Sequence, residues 1–312
     1  MSAALDVTGL QVEVRRGHDR MLAVTDVAFA VEPGEALGIV GESGSGKSLS
    51  LRAVAGVLPP GVTRSANSLI TGADGGRMAM VFQEPLAALN PTRRIGEAIA
   101  DVVQATRRCS RGEARAAAID LLTEVGMSDP VRRAKMWPHE LSGGLRQRAV
   151  IAMALAHEPS VLLCDEPTTA LDVTVQDQIL GLLDRLRRER NVALVFVTHD
   201  LAVVATLCQR LAVMYAGQII ETGNTSEVLR APRHPYTMAL LEASRTRTSA
   251  EGARPIGGNP PDPAAFPAGC RFAPRCPFAR EKCRQAPYSL RTDSAGRPNA
   301  CIRSDELIEV AA

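Results

Sequence analysis

The sequence predicts an α/β fold around a largely parallel sheet, with a small cysteine-bearing segment at its C-terminal end. Three observations carry that expectation. Apolar strand-like runs alternate with helical stretches along the first three-quarters of the chain. A glycine-rich loop, "GESGSGKS" (41–48), sits between one such strand and one such helix. From about residue 245 the composition shifts to proline and glycine, and four cysteines follow.

The elements can be justified in order. In "AVTDVAFAV" (23–31), Val24, Val27, Phe29 and Val31 give the alternation of a half-buried strand. "EALGIV" (35–40) is a short buried strand feeding the glycine loop. "SLSLRAVAGVL" (48–58) reads as a helix stopped by Pro59-Pro60-Gly61. Residues 95–125 have helical spacing and belong to a helical subdomain expected over about 85–145. "SVLLCDEP" (160–167), "NVALVFVTHD" (191–200) and "RLAVMYAGQIIETG" (210–223) are read as further strands. Helical "VTVQDQILGLLDRLRRER" (173–190) separates the first two. Residues 1–244 form the main domain in this reading, 245–268 a Pro/Gly-rich linker, and 269–312 a small appended domain.

Composition narrows the function. The 312-residue chain carries a net charge of +2, too small for a global field that attracts nucleic acid or membrane. Its start lacks the pattern of a secretory signal. No apolar run reaches the roughly 18 residues of a membrane helix, since His199 and Asp200 interrupt "VALVFVTHDLAVVATLC". A cytoplasmic setting is expected, where structural disulfides are rare.

"GESGSGKS" fits the phosphate-loop pattern G-x-x-x-x-G-K-[ST]. Gly41, Ser43, Gly44 and Gly46 allow backbone N–H groups to converge on phosphate oxygens, helped by the helix dipole. Lys47 is placed to reach the β- and γ-phosphates and Ser48 to ligate Mg²⁺. Lysine is scarce here and arginine common, so Lys47 marks a place where a compact ammonium is needed. In "VLLCDEP", Asp165 suits Mg²⁺ binding and Glu166 suits a general base. Taken alone, an acidic pair at a strand end is more often a solvated corner; the phosphate loop changes that weighting. Cys164 reads as a small hydrophobe.

"LSGGLRQR" (141–148) gives a second anion-binding helix start, with Ser142, Gly143 and Gly144 at its opening. With this stretch the chain resembles the ATP-binding subunits of ABC transporters. The resemblance covers residues 5 to about 240, with Gln83 in "VFQEP", Asp172 at the end of "TTALD" and His199 in "VTHD" in order. It implies an ABC-type P-loop ATPase core with a helical subdomain. Two such subunits, identical or paralogous, would close head to tail, so that Ser142 and its glycines face the γ-phosphate held by the partner's loop. Gln83 would sense Mg²⁺ and the membrane subunits, and His199 would hold the γ-phosphate and orient water. "QEPLAALNP" (83–91), "RHPYTMALLEASR" (233–245) and the cysteine tail look like the dipeptide/oligopeptide importer branch. That branch implies MgATP, two membrane permease subunits, an extracytoplasmic substrate-binding protein and a peripheral place on the cytoplasmic face of the membrane. Nickel, metal-chelate or other small-solute import is the alternative cargo. A soluble nucleic-acid-linked ATPase is disfavoured because neither a second cassette nor a long coiled coil is present. A redox or metal sensor with incidental ATP turnover is disfavoured by Glu166 and His199, which a pure sensor would not need together.

Two departures from the family stand out. Its members usually stack an aromatic side chain on adenine where this chain has Val14, in "VEVRR". The stretch between helix 48–58 and Gln83 is also shorter than in this branch.

The tail places Cys270, Cys276, Cys283 and Cys301 at C-x5-C-x6-C-x17-C spacing, among several arginines. Four thiolates suit either zinc or an iron–sulfur cluster. The short knuckles of structural zinc sites are absent, and the wider spacing fits a bulkier group. The importers this chain resembles have a tail read as [4Fe–4S]-binding. Cys109, Cys164 and Cys208 lie dispersed in the core and are not expected as ligands.

Overall fold

The computed structural model describes residues 3–17, 19–72, 77–246, 256–285 and 289–311. Part of the expected linker, 247–255, lies outside the described residues. The chain divides into two compact units. One comprises Met1–Leu5, Val31–Glu35 and Gly72–Phe196; the other comprises Asp6–Ala30, Ala36–Thr71 and Val197–Ala312.

In the first unit, strands Met78–Val81 and Val161–Asp165 run parallel, with Val81 opposite Cys164. Every residue of Val161–Asp165 is buried, and so is every residue of Ala193–Thr198, the strand on its other side. Unbroken apolar runs of this kind belong to parallel strands covered on both faces. Helix Gly143–Leu155 buries Val150, Ile151 and Leu155, and helix Val173–Arg190 buries Ile179, Leu183 and Leu186.

The helical region 95–125 is built of two helices. Ile95–Arg107 ends at Arg108, whose left-handed φ of 52° turns the chain away. Ser110 then starts Arg111–Glu124 with a reciprocal cap: its Oγ accepts from the Glu113 amide at 3.3 Å, while the Glu113 carboxylate accepts from the Ser110 amide at 2.8 Å. Such caps contribute about 1 kcal/mol, enough to favour a fresh start over a continuous rod.

In the second unit, strand Leu5–Arg16 has Asp19–Val31 and Val62–Arg64 as its neighbours, and Leu69–Gly72 also pairs with it. Ala36–Val40 runs parallel to Arg210–Tyr215, with Val40 opposite Val213. The helix after the glycine loop, Lys47–Ala55, stops earlier than its sequence suggests. Gly56 caps it, and the Val57 amide donates to Arg52 O at 2.9 Å, so Pro59 is not the stop. The stretch 210–223 is a hairpin instead of one strand. Ala216 and Gly217 both have left-handed φ, 46° and 81°, and fold Gln218–Asn224 back on Arg210–Tyr215.

The C-terminal segment differs from expectation. It does not separate as a small cysteine-rich domain but clusters within the second unit. Pro298–Asn299 pairs antiparallel with Gln218–Asn224, with Asn299 opposite Glu221, and Arg291–Thr292 pairs in turn with Pro298–Asn299. Phe272, 1% exposed, sits edge-on to Tyr215 and Tyr236 at centroid distances of 5.3 and 5.4 Å. The physical reason is size: a segment of some forty residues with few large apolar side chains buries too little surface alone. It joins a core that already exists.

Candidate active site

In the second unit, the phosphate loop leaves strand Ala36–Val40 and enters helix Lys47–Ala55. Gly46 precedes that helix with φ of 100°, a conformation glycine tolerates and other residues resist. A Cβ at Gly44 would meet nothing within 4 Å, so the loop is open there. Lys47 is 4% exposed and donates to Gly41 O at 2.8 Å and Glu42 O at 2.9 Å. Its ammonium is thus held over the loop's own carbonyls. Ser45 Oγ is buried without a hydrogen-bond partner, a donor to spare inside the loop. Glycines, an ammonium, a spare hydroxyl and a helix start make a donor set that fits the phosphates of ATP.

His199 follows strand Ala193–Thr198 and is exposed. Next to it, Asp200 caps helix Leu201–Leu207 by accepting from the Ala202 amide at 2.8 Å.

The first unit brings together a second set. Asp165 ends its strand at 0% exposure, and Glu166 follows with left-handed φ of 45°. Glu166 Oε2 accepts from Thr169 Oγ1 at 2.9 Å. Gln83, exposed, follows the parallel neighbour Met78–Val81, so it leaves the sheet at the same end as the two carboxylates. Oxygen ligands of this type suit a hard cation such as Mg²⁺. Ser142 is exposed at the start of helix Gly143–Leu155 and spends no side-chain bond on capping it. Asp172 does cap its helix, accepting from the Val175 amide at 2.9 Å. The two helix starts meet: a Cβ on Gly144 would lie 2.5 Å from Val175 Cγ1.

All four tail cysteines line one pocket, together with Phe272, Phe278, Leu307 and Arg303. Burial pushes the Cys301 thiol up to about 12, and the neighbouring Cys270, Cys276 and Cys283 push the same way. Burial likewise raises Cys270 and Cys276. Thiols in such a pocket stay protonated until a metal replaces the proton. Among the described residues, however, no three His, Cys, Asp or Glu side chains are placed to hold one metal ion. The expected metal centre, cluster or zinc alike, therefore has a shared pocket of soft donors but no preformed ligand set. Cys109, Cys164 and Cys208 lie outside that pocket.

Val14, where an adenine-stacking ring was expected from the resemblance, is half-buried in its strand opposite Val62.

Comparison with known proteins follows the same lines. Residues 24–169 match the ABC transporter family, and residues 220–283 match the oligopeptide/dipeptide transporter C-terminal region. A protein of Brucella melitensis named as a peptide import ATP-binding protein is 44% identical over 97% of this chain and 98% of its own. The chain belongs to the ATP-binding subunits of ABC transporters. It is an ATPase of that family. The oligopeptide transport ATP-binding protein OppD of Escherichia coli is 43% identical over 97% of this ABC subunit and 94% of its own length. Among solved structures, a dimeric ATP-binding cassette in a post-hydrolysis state with ADP and phosphate aligns at TM-score 0.62 and 27% identity. It covers 71% of the ABC subunit described here and 98% of that chain. No described helix is long and apolar enough to cross a membrane.

Sequence reasoning missed a group of residues around the loop. Glu42 accepts two hydrogen bonds from Arg275, and its amide donates to Tyr236 Oη at 2.7 Å. Glu221, 0% exposed, accepts from the Arg233 and His234 amides and from Arg297. Burial lowers His234 to about 3, so its neutral Nδ1 accepts from the Tyr236 amide at 3.1 Å. The only signal in the sequence was the "RHPY" stretch, which carried resemblance but no assigned role.

Proposed function

We propose that this chain is the ATP-hydrolysing subunit of a di- or oligopeptide importer, working as half of a head-to-tail ATPase pair under two membrane permease subunits. A substrate-binding protein outside the membrane would deliver the cargo, and this subunit would sit peripherally on the cytoplasmic face. The observation that carries the cargo class is the match of residues 220–283 to the oligopeptide/dipeptide transporter C-terminal region, which lies beyond the ATPase cassette itself. Pairing is supported by the likeness to a dimeric cassette.

In this reading Gly41, Ser43, Gly44 and Gly46 present backbone donors to the phosphates, and Lys47 swings from the loop carbonyls to the β- and γ-oxygens. Ser48, Gln83 and Asp165 would hold Mg²⁺, which neutralises charge on the phosphates when bound. Glu166 accepts a proton from the attacking water; the water oxygen bonds to the γ-phosphorus, and the β–γ bridging oxygen leaves with ADP. His199 orients that water and the γ-phosphate. Ser142, Gly143 and Gly144 serve the partner's nucleotide, with Asp172 fixing the helix against which they pack.

We further propose that Cys270, Cys276, Cys283 and Cys301 bind one [4Fe–4S] cluster. Support comes from their shared pocket, its apolar lining and the flanking Arg303, which suits an anionic thiolate cluster.

The decisive experiment for the ATPase assignment is Glu166→Gln in the assembled transporter. MgATP affinity is retained and hydrolysis falls by about two to four orders of magnitude, the usual contribution of a positioned base. Wild-type turnover in that variant would remove Glu166 from the mechanism.

A further inference from the structure

The second residue of the phosphate loop is an acid. Glu42 places a carboxylate in a loop whose expected ligand is a polyanion, and an unpaired negative charge there opposes phosphate binding. The structure answers that charge from far along the chain. Arg275 reaches Glu42 with both terminal nitrogens, Nη1 to Oε2 at 2.7 Å and Nη2 to Oε1 at 3.0 Å, in the two-pronged geometry that makes arginine–carboxylate pairs strong.

The guanidinium is committed on its other sides as well. Its Nε donates to Gly257 O at 2.8 Å, and Nη2 also donates to Ile256 O at 3.0 Å. Tyr215 Oη lies 3.3 Å from Nη1, and the rings of Tyr215 and Phe272 lie 5.8 and 5.9 Å from the guanidinium carbon. Only 3% of the Arg275 side chain is exposed. Most surface ion pairs contribute little because solvent screens them and the side chains must be ordered. Here the arginine is buried and already ordered by five other contacts, so that discount does not apply to it.

Glu42 in turn is held at every polar group. Its carboxylate takes Arg275, its amide donates to Tyr236 Oη, and its carbonyl accepts from Lys47 Nζ at 2.9 Å. The residue that gives Lys47 one of its resting partners is therefore fixed by two side chains from the C-terminal segments.

We propose that Arg275 is a positioning residue of the nucleotide site: it neutralises Glu42 and holds the phosphate loop in its phosphate-accepting shape. The cysteine-bearing segment thereby completes the ATP site of its own subunit, and this holds whether or not the cysteine pocket carries a metal. The assignment rests on the phosphate-binding reading of the loop and adds to it a residue outside the ATPase cassette.

The test uses full-length protein with Arg275→Ala, Arg275→Lys and the double variant Arg275→Ala/Glu42→Gln. Kd for MgATP is read by calorimetry, and KM and kcat in the assembled transporter. Losing a charge-assisted fork and exposing a like charge weakens binding roughly ten- to a hundredfold in Arg275→Ala. KM rises by a similar factor, while kcat at saturating MgATP stays within a few-fold of wild type. Arg275→Lys, which keeps the charge without the fork, falls between the two. The double variant recovers most of the lost affinity, because the offending charge is gone although the arginine's packing is still missing. Both alanine variants lose the same packing contacts, so a folding defect is common to them and the difference reports charge alone. Equal loss of affinity in the single and double variants would overturn the proposal and leave Arg275 as fold support. Wild-type affinity in Arg275→Ala would overturn it too. Loss of MgATP binding in Lys47→Ala is the separate check on the phosphate loop itself, so failure of one assignment is distinguishable from failure of the other.

Discussion

Gly144 and Val175 hold two helix starts together: a Cβ at position 144 would fall 2.5 Å from Val175 Cγ1, closer than real contacts allow. Gly144 belongs to "LSGG" and Val175 to the first turn of the helix capped by Asp172. Replacing Gly144 with alanine therefore forces that helix start away from the signature segment. Overpacking of this kind costs about 1–3 kcal/mol, and ATPase activity of the transporter falls with it. Adding Val175→Ala makes room for the new methyl and restores the stability, while any ATPase loss that persists reports the role of Gly144 at the partner's nucleotide. Thermal unfolding and ATPase rates of the two single variants and the double check this; no rescue by the second substitution would show that Gly144 is needed for something other than the contact.

Phe272 tests the docking of the tail. It is buried against Tyr215 and Tyr236, so Phe272→Ala removes an aromatic from the core of the second unit. Truncations of this size cost about 3–5 kcal/mol, and the loss appears in the main unfolding transition. A wild-type main transition with only a small local change would show that the segment unfolds on its own.

Val14 offers no ring for adenine to stack on. Ring stacking contributes roughly 0.5–1.5 kcal/mol, so discrimination between ATP and GTP is weak in this subunit, and Val14→Tyr tightens ATP. Competition binding with the two nucleotides measures it. A strong preference for ATP in the wild-type chain would assign base recognition to another side chain, with Arg15 and Arg16 the first to replace.

Cys276 tests the cluster. Protein purified without oxygen is brown and carries about four irons per chain, and Cys276→Ser loses the colour while still binding MgATP. Stoichiometric zinc without iron, or no metal at all, would remove the cluster.

Much was legible in the sequence because it is written in local patterns. The phosphate loop needs its glycines and Lys47 at fixed spacing, and the strand and helix that flank it are neighbours in the chain. The buried runs 161–165 and 193–198 announce covered parallel strands, and helix Val173–Arg190 begins and ends where its sequence suggests. A local misreading also had a local cause: the left-handed turn at Ala216-Gly217 broke a segment that read as one strand.

The sequence by itself thus determined the α/β fold, the family and the residues of the phosphate loop. Tertiary structure alone decided where the C-terminal segment goes and what it touches. Glu42 and Arg275 are separated by more than two hundred positions, and neither has a periodic pattern that points to the other. The same holds for Phe272 with Tyr215 and for Asn299 opposite Glu221. A spacing rule reads which groups one element presents. Which distant groups come to neutralise a charge or cover a ring depends on burial across the whole unit, and that cost is set only when the chain has closed on itself.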